Sequence, residues 1–391
     1  MLRSTLPIAL ATCLAGVGTA SAGTIEVTTL QINAPPSECE LDEAIEMVND
    51  FPNDDRFGCE RQGGGDDRIV FDGGLDGTVT LDAPLPAIER TLTIDGGGAD
   101  RITIDGAALY RPLTVNAGVA FTLASITVAN GSAAGGNGGA LQLQAGADVV
   151  LSDCRVRDNA AQNGGGIEVD AATLRVERCL LDDNQASAAG GALRNAGGVV
   201  ELVNTTLSGN GAADGGGIAA VEGASPGTTS LYSVTLADNG GESVFVGGAA
   251  VLEARHTIFA EPCSGALTSL DFNLASDLTC GLSGPNDLEG APAGLAALAA
   301  NGGPTATHAL QPGSAAIDAG DTDCRDASGT VLATDQRGPG FPRVTNGDGL
   351  PGFSCDLGAY EAAPEPAGAA AAAVAAAALA ALARRRRRRL P

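Results

Sequence analysis

The residues Gly138-Gly139-Ala140-Leu141 open a segment that the chain repeats three more times. The opening returns as Gly164–Ile167, Gly190–Leu193 and Gly215–Ile218, at intervals of 25 or 26 residues. A period of this length, with short apolar runs, indicates stacked supersecondary units. One such unit cannot bury its own apolar face, so neighbouring units must share a continuous core.

Each repeat closes its second apolar run on an asparagine. Asparagine adopts the left-handed backbone conformation more readily than most residues, and its amide can bond to the same amide in the next unit. The pattern therefore predicts a structural ladder rather than a binding site. The predicted ladder consists of Asn130, Asn159, Asn184, Asn210 and Asn239.

The repeats are of the β type. Apolar residues alternate with polar ones in runs such as Leu141-Gln142-Leu143, and Gly, Asn and Asp separate the runs. So much glycine disfavours helical repeats, and the frame of leucine-rich repeats is missing. The fold class predicted is all-β, a right-handed parallel β-helix over residues 69–261. An N-terminal cap (23–68) and a disulfide-containing C-terminal domain (262–363) flank it.

The first residues and the composition point to export. Met1–Ala22 has Arg3, an apolar run and a small-residue cleavage site, as secretory signals do; a retained anchor is the alternative. The chain has no lysine and a formal charge of −25. Such a surface repels nucleic acid and anionic lipid, so neither is expected as a partner.

Cysteine usage agrees with an oxidising compartment. Of nine cysteines, one lies in the signal, which leaves an even number. Proximity along the chain suggests the pairs Cys39–Cys59, Cys263–Cys280 and Cys324–Cys355. Cys154 and Cys179 occupy equivalent positions of adjacent repeats. They either form a bridge or stack as small apolar residues.

The segment SECELDEAIEMVND has apolar residues at helical spacing (Leu41, Ala44, Ile45, Val48) and acidic residues early, which predicts a capping helix. Residues 39–45 resemble the CSLREA motif near the start of bacterial surface β-helix proteins. Glu40 and Asp42 stand where that motif usually has Ser and Arg.

Residues 262–363 carry a second resemblance. The segments DFNLASDLTC, NGGPTATHALQPGSAAIDAG, DQRGPG and CDLGAYE are similar to those of the choice-of-anchor Q domain. That domain ends many secreted β-helix proteins. The resemblance implies an exported surface protein and implies no chemistry. The run FPRVTNGDGLPGFS is longer than the family's usual connection at that point.

The C-terminal residues resemble a PEP-CTERM sorting tail. Pro364-Glu365-Pro366 precedes the apolar run Ala367–Ala383 and the basic stop Arg384–Arg389. The arginines predict a cytoplasmic end for a membrane helix. The resemblance implies removal of the tail by an exosortase-type processing enzyme. The alternative is a permanent membrane anchor within residues 364–391.

No catalytic residue is predicted. Glu168 and Asp170 point to one side of a strand at a spacing that glycoside hydrolysis tolerates, but Arg194 one repeat later predicts a surface ion pair with Glu168. No arginine stands in a recognisable acidic pocket of the repeats. Sugar clefts also use aromatic platforms, and the chain has no Trp and three Tyr.

No metal site or cofactor is predicted, with calcium as the one open alternative. His256 and His308 lie in different regions and are expected to be structural. Two acidic groups offer hard oxygen ligands of the kind calcium prefers. These are Asp158, Asp183 and Asp238 in the repeats, and Asp321, Asp323 and Asp326 near the end of the chain.

These observations predict an exported, non-enzymatic β-helix protein at the cell surface, associated with the outer membrane, or extracellular. Its expected role is adhesion or matrix formation, with surface glycans or extracellular matrix as partners. The alternative is a carbohydrate-active β-helix enzyme, a polysaccharide lyase or glycoside hydrolase, because parallel β-helices host both kinds of protein.

Overall fold

The computed structural model describes residues 23–50, 58–64, 66–344 and 354–362. Short strands follow one another around a common axis, and strands one turn apart pair in parallel. The predicted fold class, a right-handed parallel β-helix, is confirmed. The predicted signal Met1–Ala22 and the tail of residues 364–391 lie outside the described residues.

A single coil shows how the sequence builds the fold. Leu141–Leu143, Asp148–Ser152, Arg155–Arg157 and Ala160–Asn163 are its four strands. In Asp148–Ser152 the side chains of Val149 and Leu151 are buried, whereas the other three side chains of the strand face outward. This alternation follows from the two-residue period of a strand, and stacking the coils joins the inward residues into one core.

The second strand of each coil belongs to an eleven-stranded sheet, here sheet 1, and the third to a ten-stranded sheet, here sheet 2. Sheet 1 consists of Arg61–Gln62, Gly23–Val27, Asp67–Phe71, Leu92–Asp95, Ala120–Ala124, Asp148–Ser152, Thr173–Glu177, Val199–Val203, Thr228–Tyr232, Val251–Arg255 and Leu267–Ser269. Sheet 2 consists of Gly77–Thr80, Ile102–Asp105, Thr127–Ala129, Arg155–Arg157, Leu180–Asp182, Thr206–Ser208, Thr235–Ala237, Ile258–Phe259, Leu274–Ala275 and Leu288–Glu289.

The first strand of each coil belongs to a seven-stranded sheet, sheet 3, and three coils add a short fourth strand. Sheet 3 consists of Leu113–Val115, Leu141–Leu143, Ile167–Asp170, Leu193–Ala196, Ile218–Val221, Val244–Val246 and Cys263–Ser264. The fourth strands are Ser132–Asn137, Ala160–Asn163 and Gln185–Ala189.

The corner between sheets 1 and 2 has the same backbone conformation in six successive coils. One residue there has a positive φ, between 47° and 56°, although none of the six is glycine. This conformation costs an L-residue about 1–2 kcal/mol, so the stacked strands on both sides must hold it. The six residues are Ser125, Asp153, Arg178, Asn204, Ser233 and His256.

The predicted capping helix is present as Leu41–Asn49. Its apolar side, including Leu41, Ile45 and Met47, is buried against the first coils, and the Glu43 carboxylate accepts the backbone N–H of Glu40 at 3.4 Å. Gly23–Val27 pairs in parallel with Asp67–Phe71. The first strand of the solenoid therefore precedes the helix, and the solenoid starts before the predicted limit of residue 69.

The solenoid also continues beyond residue 261. Cys263–Ser264, Leu267–Ser269, Leu274–Ala275 and Leu288–Glu289 extend the three sheets. These strands are short, so the period fades in the sequence while the pairing persists. The residues after them, 290–362, form what we call the C-terminal segment.

The C-terminal segment folds back along the outside of the solenoid. Its apolar residues share clusters with the coils: Ala316 and Leu357 pack with Ile258, and Leu332 packs with Val203. Outward-facing hydroxyls of sheet 2 bind it as well, since Thr235 Oγ1 accepts the backbone N–H of Ala359 at 2.9 Å. Within the described residues, the predicted C-terminal domain therefore has two parts. Its first strands, up to Leu288–Glu289, belong to the solenoid, and the C-terminal segment packs on the outside of the coils.

Three disulfides join cysteines that are neighbours along the chain. They are Cys39–Cys59, Cys263–Cys280 and Cys324–Cys355. The first fastens the capping helix and the other two lie in the C-terminal region. Cys154 and Cys179 are buried thiols.

Candidate functional site: a groove on sheet 2

The asparagine ladder runs through the interior and is fully occupied by hydrogen bonds. The amide of Asn184 donates to Oδ1 of Asn210 at 3.0 Å and to the carbonyl of Val156 at 2.9 Å. Asn210 repeats the arrangement toward Asn239 at 2.9 Å and toward Leu181 O at 2.9 Å. Each amide therefore ties its own coil to both neighbours. The ladder is structural and has no amide left for a ligand.

Asn130 does not belong to this ladder. Arg157 pairs with Ala129, so Asn130 lies beside Asp158 and Gly131 lies beside Asn159. The backbone N–H of Gly131 binds Asn159 Oδ1 at 2.7 Å. The prediction was wrong by one residue because the αL position before the ladder accepts Asn as readily as Asp.

The left-handed conformation also falls one residue earlier than predicted. It belongs to the residue that precedes the ladder amide in each coil, and the ladder amides themselves do not have it. The residues with positive φ in this column are Asn130, Asp158, Asp183, Gly209 and Asp238.

A carboxyl group completes the far end of the ladder. Glu261 Oε1 accepts the backbone N–H of Asp238 at 2.6 Å, and its carboxylate also interacts with Asn239. Burial raises the pKa of Glu261 to about 7 despite these bonds. The sequence pattern did not reveal this group, because it stands where the repeat has already faded.

Glu168 and Arg194 are paired, as predicted, but the carboxylate is not at the surface. The two residues are in register on adjacent strands of sheet 3, and Arg194 Nη1 binds Glu168 Oε1. Glu168 is 1% exposed, whereas Asp170 is exposed. Burial raises the pKa of Glu168 to about 7, although Arg194 opposes this. A polysaccharide cannot reach this carboxyl group as it stands.

The two histidines lie in separate places. His308 sits on the C-terminal segment, where Nε2 is 2.9 Å from Ser208 Oγ and Nδ1 is 2.8 Å from the carbonyl of Ala296. These contacts attach the segment to sheet 2. Ser208 and His308 are both buried, so the pair does not present a nucleophile to solvent.

His256 is fully buried and stacks on Phe272 with 5.5 Å between ring centroids. Burial lowers its pKa to about 4, even though Asp321 Oδ1 lies 3.3 Å from Nε2. Cys324 and Cys355 are close to both groups, but their sulfurs form a disulfide and are not thiolate ligands in this state.

Arginines engage most of the acidic groups considered for calcium. Asp158 binds Arg157 at 2.5 Å, and Asp326 binds Arg175 at 3.1 Å. Asp323 binds Arg325 at 2.9 Å, and Asp321 binds Arg255. A carboxylate already neutralised by a guanidinium is a poorer ligand for a cation, because the arginine opposes the added positive charge.

An open groove lies on sheet 2 beside an early part of the C-terminal segment. It encloses about 570 Å³. Outward-facing residues of three sheet 2 strands, including Thr103, Asp105 and Arg155, form its floor. Residues 303–306 of the C-terminal segment form a wall. The floor is rigid because it consists of paired strands.

Both arginines of the groove are paired with aspartates. Arg155 binds Asp182 in a bidentate manner at 2.9 and 2.5 Å, and this bond raises the pKa of Arg155. Arg157 Nε binds Asp158 at 2.6 Å, and Asn130 Nδ2 donates to Asp105 Oδ2 at 2.9 Å. The groove thus offers many hydrogen-bonding atoms; both of its arginines are neutralised, whereas Asp100 and Asp105 have no arginine partner among the described residues.

This groove was not predicted from the sequence. Arg155 binds an acidic residue of the next repeat, which the sequence did not predict. The partner, Asp182, lies diagonally opposite Arg155 on the next strand and not at the equivalent position of the repeat. The wall comes from residues about 150 positions later, which no repeat pattern reveals.

Another depression of about 710 Å³ lies at the N-terminal end, beside Arg61, Asp67 and Glu89. We favour the sheet 2 groove as the candidate site because strands of three adjacent coils and residues of the C-terminal segment meet there. Across the described ranges, no helix has the length and apolarity that a membrane crossing requires. The predicted span Ala367–Ala383 lies outside those ranges.

The comparison with known proteins agrees with the architecture. The family model for the right handed beta helix region matches residues 94–236. A search of curated proteins found no match. The matched residues cover three of the four repeats, most of the fourth and part of the coils before them, whose strands stack in parallel in the structure. The chain is therefore a parallel β-helix protein.

Proposed function

We propose that the protein is an exported, non-enzymatic β-helix protein that binds neutral glycans at the cell surface or in the extracellular matrix. The observation that carries this proposal is the set of hydrogen-bonding groups in the sheet 2 groove, whose two arginines are both paired with aspartates. Neutral sugars present many hydroxyls and no charge, so they match a groove that is rich in hydrogen-bonding groups and whose arginines are already paired. The strongly acidic chain would repel polyanionic sugars.

Export is supported by the disulfides and by the sequence resemblances. Three bonded cysteine pairs are typical of proteins in oxidising compartments. The secretory signal, the CSLREA-like residues 39–45, the choice-of-anchor Q-like region and the PEP-CTERM-like tail point the same way. The proposal includes a location at the outer membrane.

A glycan array with the purified, exported protein tests the binding. Arg157→Gln should weaken retention of the glycans bound by the wild type about tenfold, since one charge-assisted hydrogen bond is lost. Arg68→Gln is the matched control, because Arg68 is also an outward arginine paired with an aspartate, but on sheet 1. Equal binding by both variants would show that the groove is not the site.

The alternative function is carbohydrate cleavage, and one observation favours it. Glu168 has a pKa of about 7 beside the exposed Asp170, and carboxyl groups with such different environments can serve as acid and base. Its burial against Arg194 argues against it. Incubating the protein with a polysaccharide panel decides the matter: new reducing ends that disappear in Glu168→Gln would establish the enzyme.

The C-terminal tail is also part of the proposal. We expect Ala367–Ala383 to hold the precursor in the inner membrane with Arg384–Arg389 inside, until processing near Pro364-Glu365-Pro366 releases the folded protein. Intact mass measurement on protein from the native host tests this. A product that still carries residues 367–391 would show a membrane anchor instead.

A further inference from the structure

Cys154 and Cys179 occupy the same position in adjacent coils. Asp148–Ser152 pairs with Thr173–Glu177 before them, and Arg155–Arg157 pairs with Leu180–Asp182 after them. The two cysteines are therefore in register between two parallel pairings. Parallel neighbours lie about 4.8 Å apart, which is within the Cα separation that a disulfide spans.

The sulfur of Cys179 already reaches the coil of Cys154. The backbone N–H of Cys154 donates to Cys179 Sγ at 3.3 Å, and the two thiols interact directly. The thiol of Cys154 points to the carbonyls of Leu123 and Ser152, at 3.3 and 3.2 Å. A bond between the two sulfurs would require that of Cys154 to turn from these carbonyls toward Cys179.

We propose that Cys154 and Cys179 form a fourth disulfide when the protein folds in its oxidising compartment. The two thiols lose two protons and two electrons as the sulfur–sulfur bond forms, and a disulfide-exchanging oxidant takes up the electrons and becomes a dithiol. The other three cysteine pairs require the same class of oxidant. The bridge joins two coils in the middle of the solenoid.

The bond must form before the coils close. Both side chains are fully buried in the folded protein, and burial raises the pKa of Cys179, which disfavours the reactive thiolate. An oxidant therefore does not reach the pair after folding. We accordingly expect protein folded in a reducing cytosol to keep both thiols even when oxidant is added later.

Peptide mapping of the exported protein tests the proposal. The protein is denatured without reductant, alkylated and digested with trypsin, which cleaves after Arg155 and after Arg178. The expected result is a linked pair of peptides, one ending at Arg155 and one beginning at Cys179. The Cys263–Cys280 and Cys324–Cys355 bonds in the same digest show that the sample met an oxidant.

The variant Cys179→Ser provides the matched control. It keeps a small polar side chain at the position, and Cys154 should then be alkylated completely after denaturation. Circular dichroism shows whether the variant is folded. If the wild type has its other three disulfides but both Cys154 and Cys179 carry the alkyl group, the proposal is wrong and the two residues are stacked thiols.

Discussion

The carboxamide oxygen of Asn184 accepts two hydrogen bonds from Asn159, one from its side-chain amide at 2.8 Å and one from its backbone N–H at 3.2 Å. A single atom thus fixes both the side chain and the main chain of the coil before it. Because Asn184 is completely buried, water cannot replace these bonds. The ladder is for this reason a principal link between the coils.

Replacing Asn184 with Leu should destabilise the protein by about 2–4 kcal/mol. The buried donors of Asn159 and the carbonyl of Val156 would lose their partner, and each such loss costs about 1–3 kcal/mol. Calorimetry measures the loss. Asp183→Asn is the control, because Asp183 is exposed and Asn tolerates its φ of 56°. Equal melting temperatures for the two variants would contradict the inward ladder.

Glu168→Gln should change the pH dependence of stability. Burial raises the pKa of Glu168 in the folded protein to about 7, so the protonated carboxyl group stabilises the folded state. This stabilisation is complete below the ordinary pKa of 4.5 and is lost as the pH rises through 7. Gln stays neutral throughout. The variant should therefore gain stability over the wild type between pH 4.5 and 8, on the order of 3 kcal/mol.

Urea unfolding of both proteins at several pH values measures that difference. Asp170→Asn serves as the control on the same strand, because Asp170 is exposed and its removal should not reproduce the effect. A constant difference between Glu168→Gln and the wild type across this range would show that Glu168 is ionised in the folded protein.

Gln336→Leu should lower the stability of the whole molecule in a single transition. Gln336 is buried; its Oε1 accepts from Thr206 at 2.6 Å and its amide donates to Thr305 at 2.9 Å. The amide also donates to the carbonyl of Ala306 at 3.1 Å, so three partners lose their bond and the expected loss is about 2–4 kcal/mol. Gln185→Leu, at an exposed position, should have little effect. Two separate calorimetric transitions would show that the C-terminal segment unfolds independently.

Arg337→Lys should be destabilising although the charge is kept. The guanidinium of Arg337 lies 4.1 Å from the ring centroid of Phe341 and 3.9 Å from that of Tyr360, and it binds Asp335 Oδ2 at 2.6 Å. Lysine can neither stack in this way nor form the bidentate bond, so we expect a loss of about 2 kcal/mol. The exposed Arg325→Lys should be neutral in the same thermal melt.

The repeat period by itself determined much of the fold. Period-2 patterns placed the strands, and the interval of 25 or 26 residues placed equivalent strands beside one another. The pairing of Glu168 with Arg194 followed from the same arithmetic. Local pattern suffices here because each coil contacts chiefly its sequence neighbours.

The limits of the solenoid were less predictable. Gly23–Val27 joins sheet 1 across the capping helix, and the last strands have only two or three residues. Strand pairing depends on the neighbouring strand in the fold, and a run of two or three residues is too short to show an alternating pattern in the sequence. The one-residue error at Asn130 has a similar cause, since two adjacent positions of the turn accept asparagine for different reasons.

The amino-acid sequence by itself determined the coil, the ladder and the neighbouring cysteines, because these depend on local periodicity. Only the tertiary structure decided what the outer surfaces do. The C-terminal segment buries His308 against Ser208, and it leaves the groove around Arg155 open. Burial also decided that Glu168 titrates near pH 7 rather than as a surface acid. Which surface is covered depends on contacts between residues distant in sequence, and a repeat period contains no information about them.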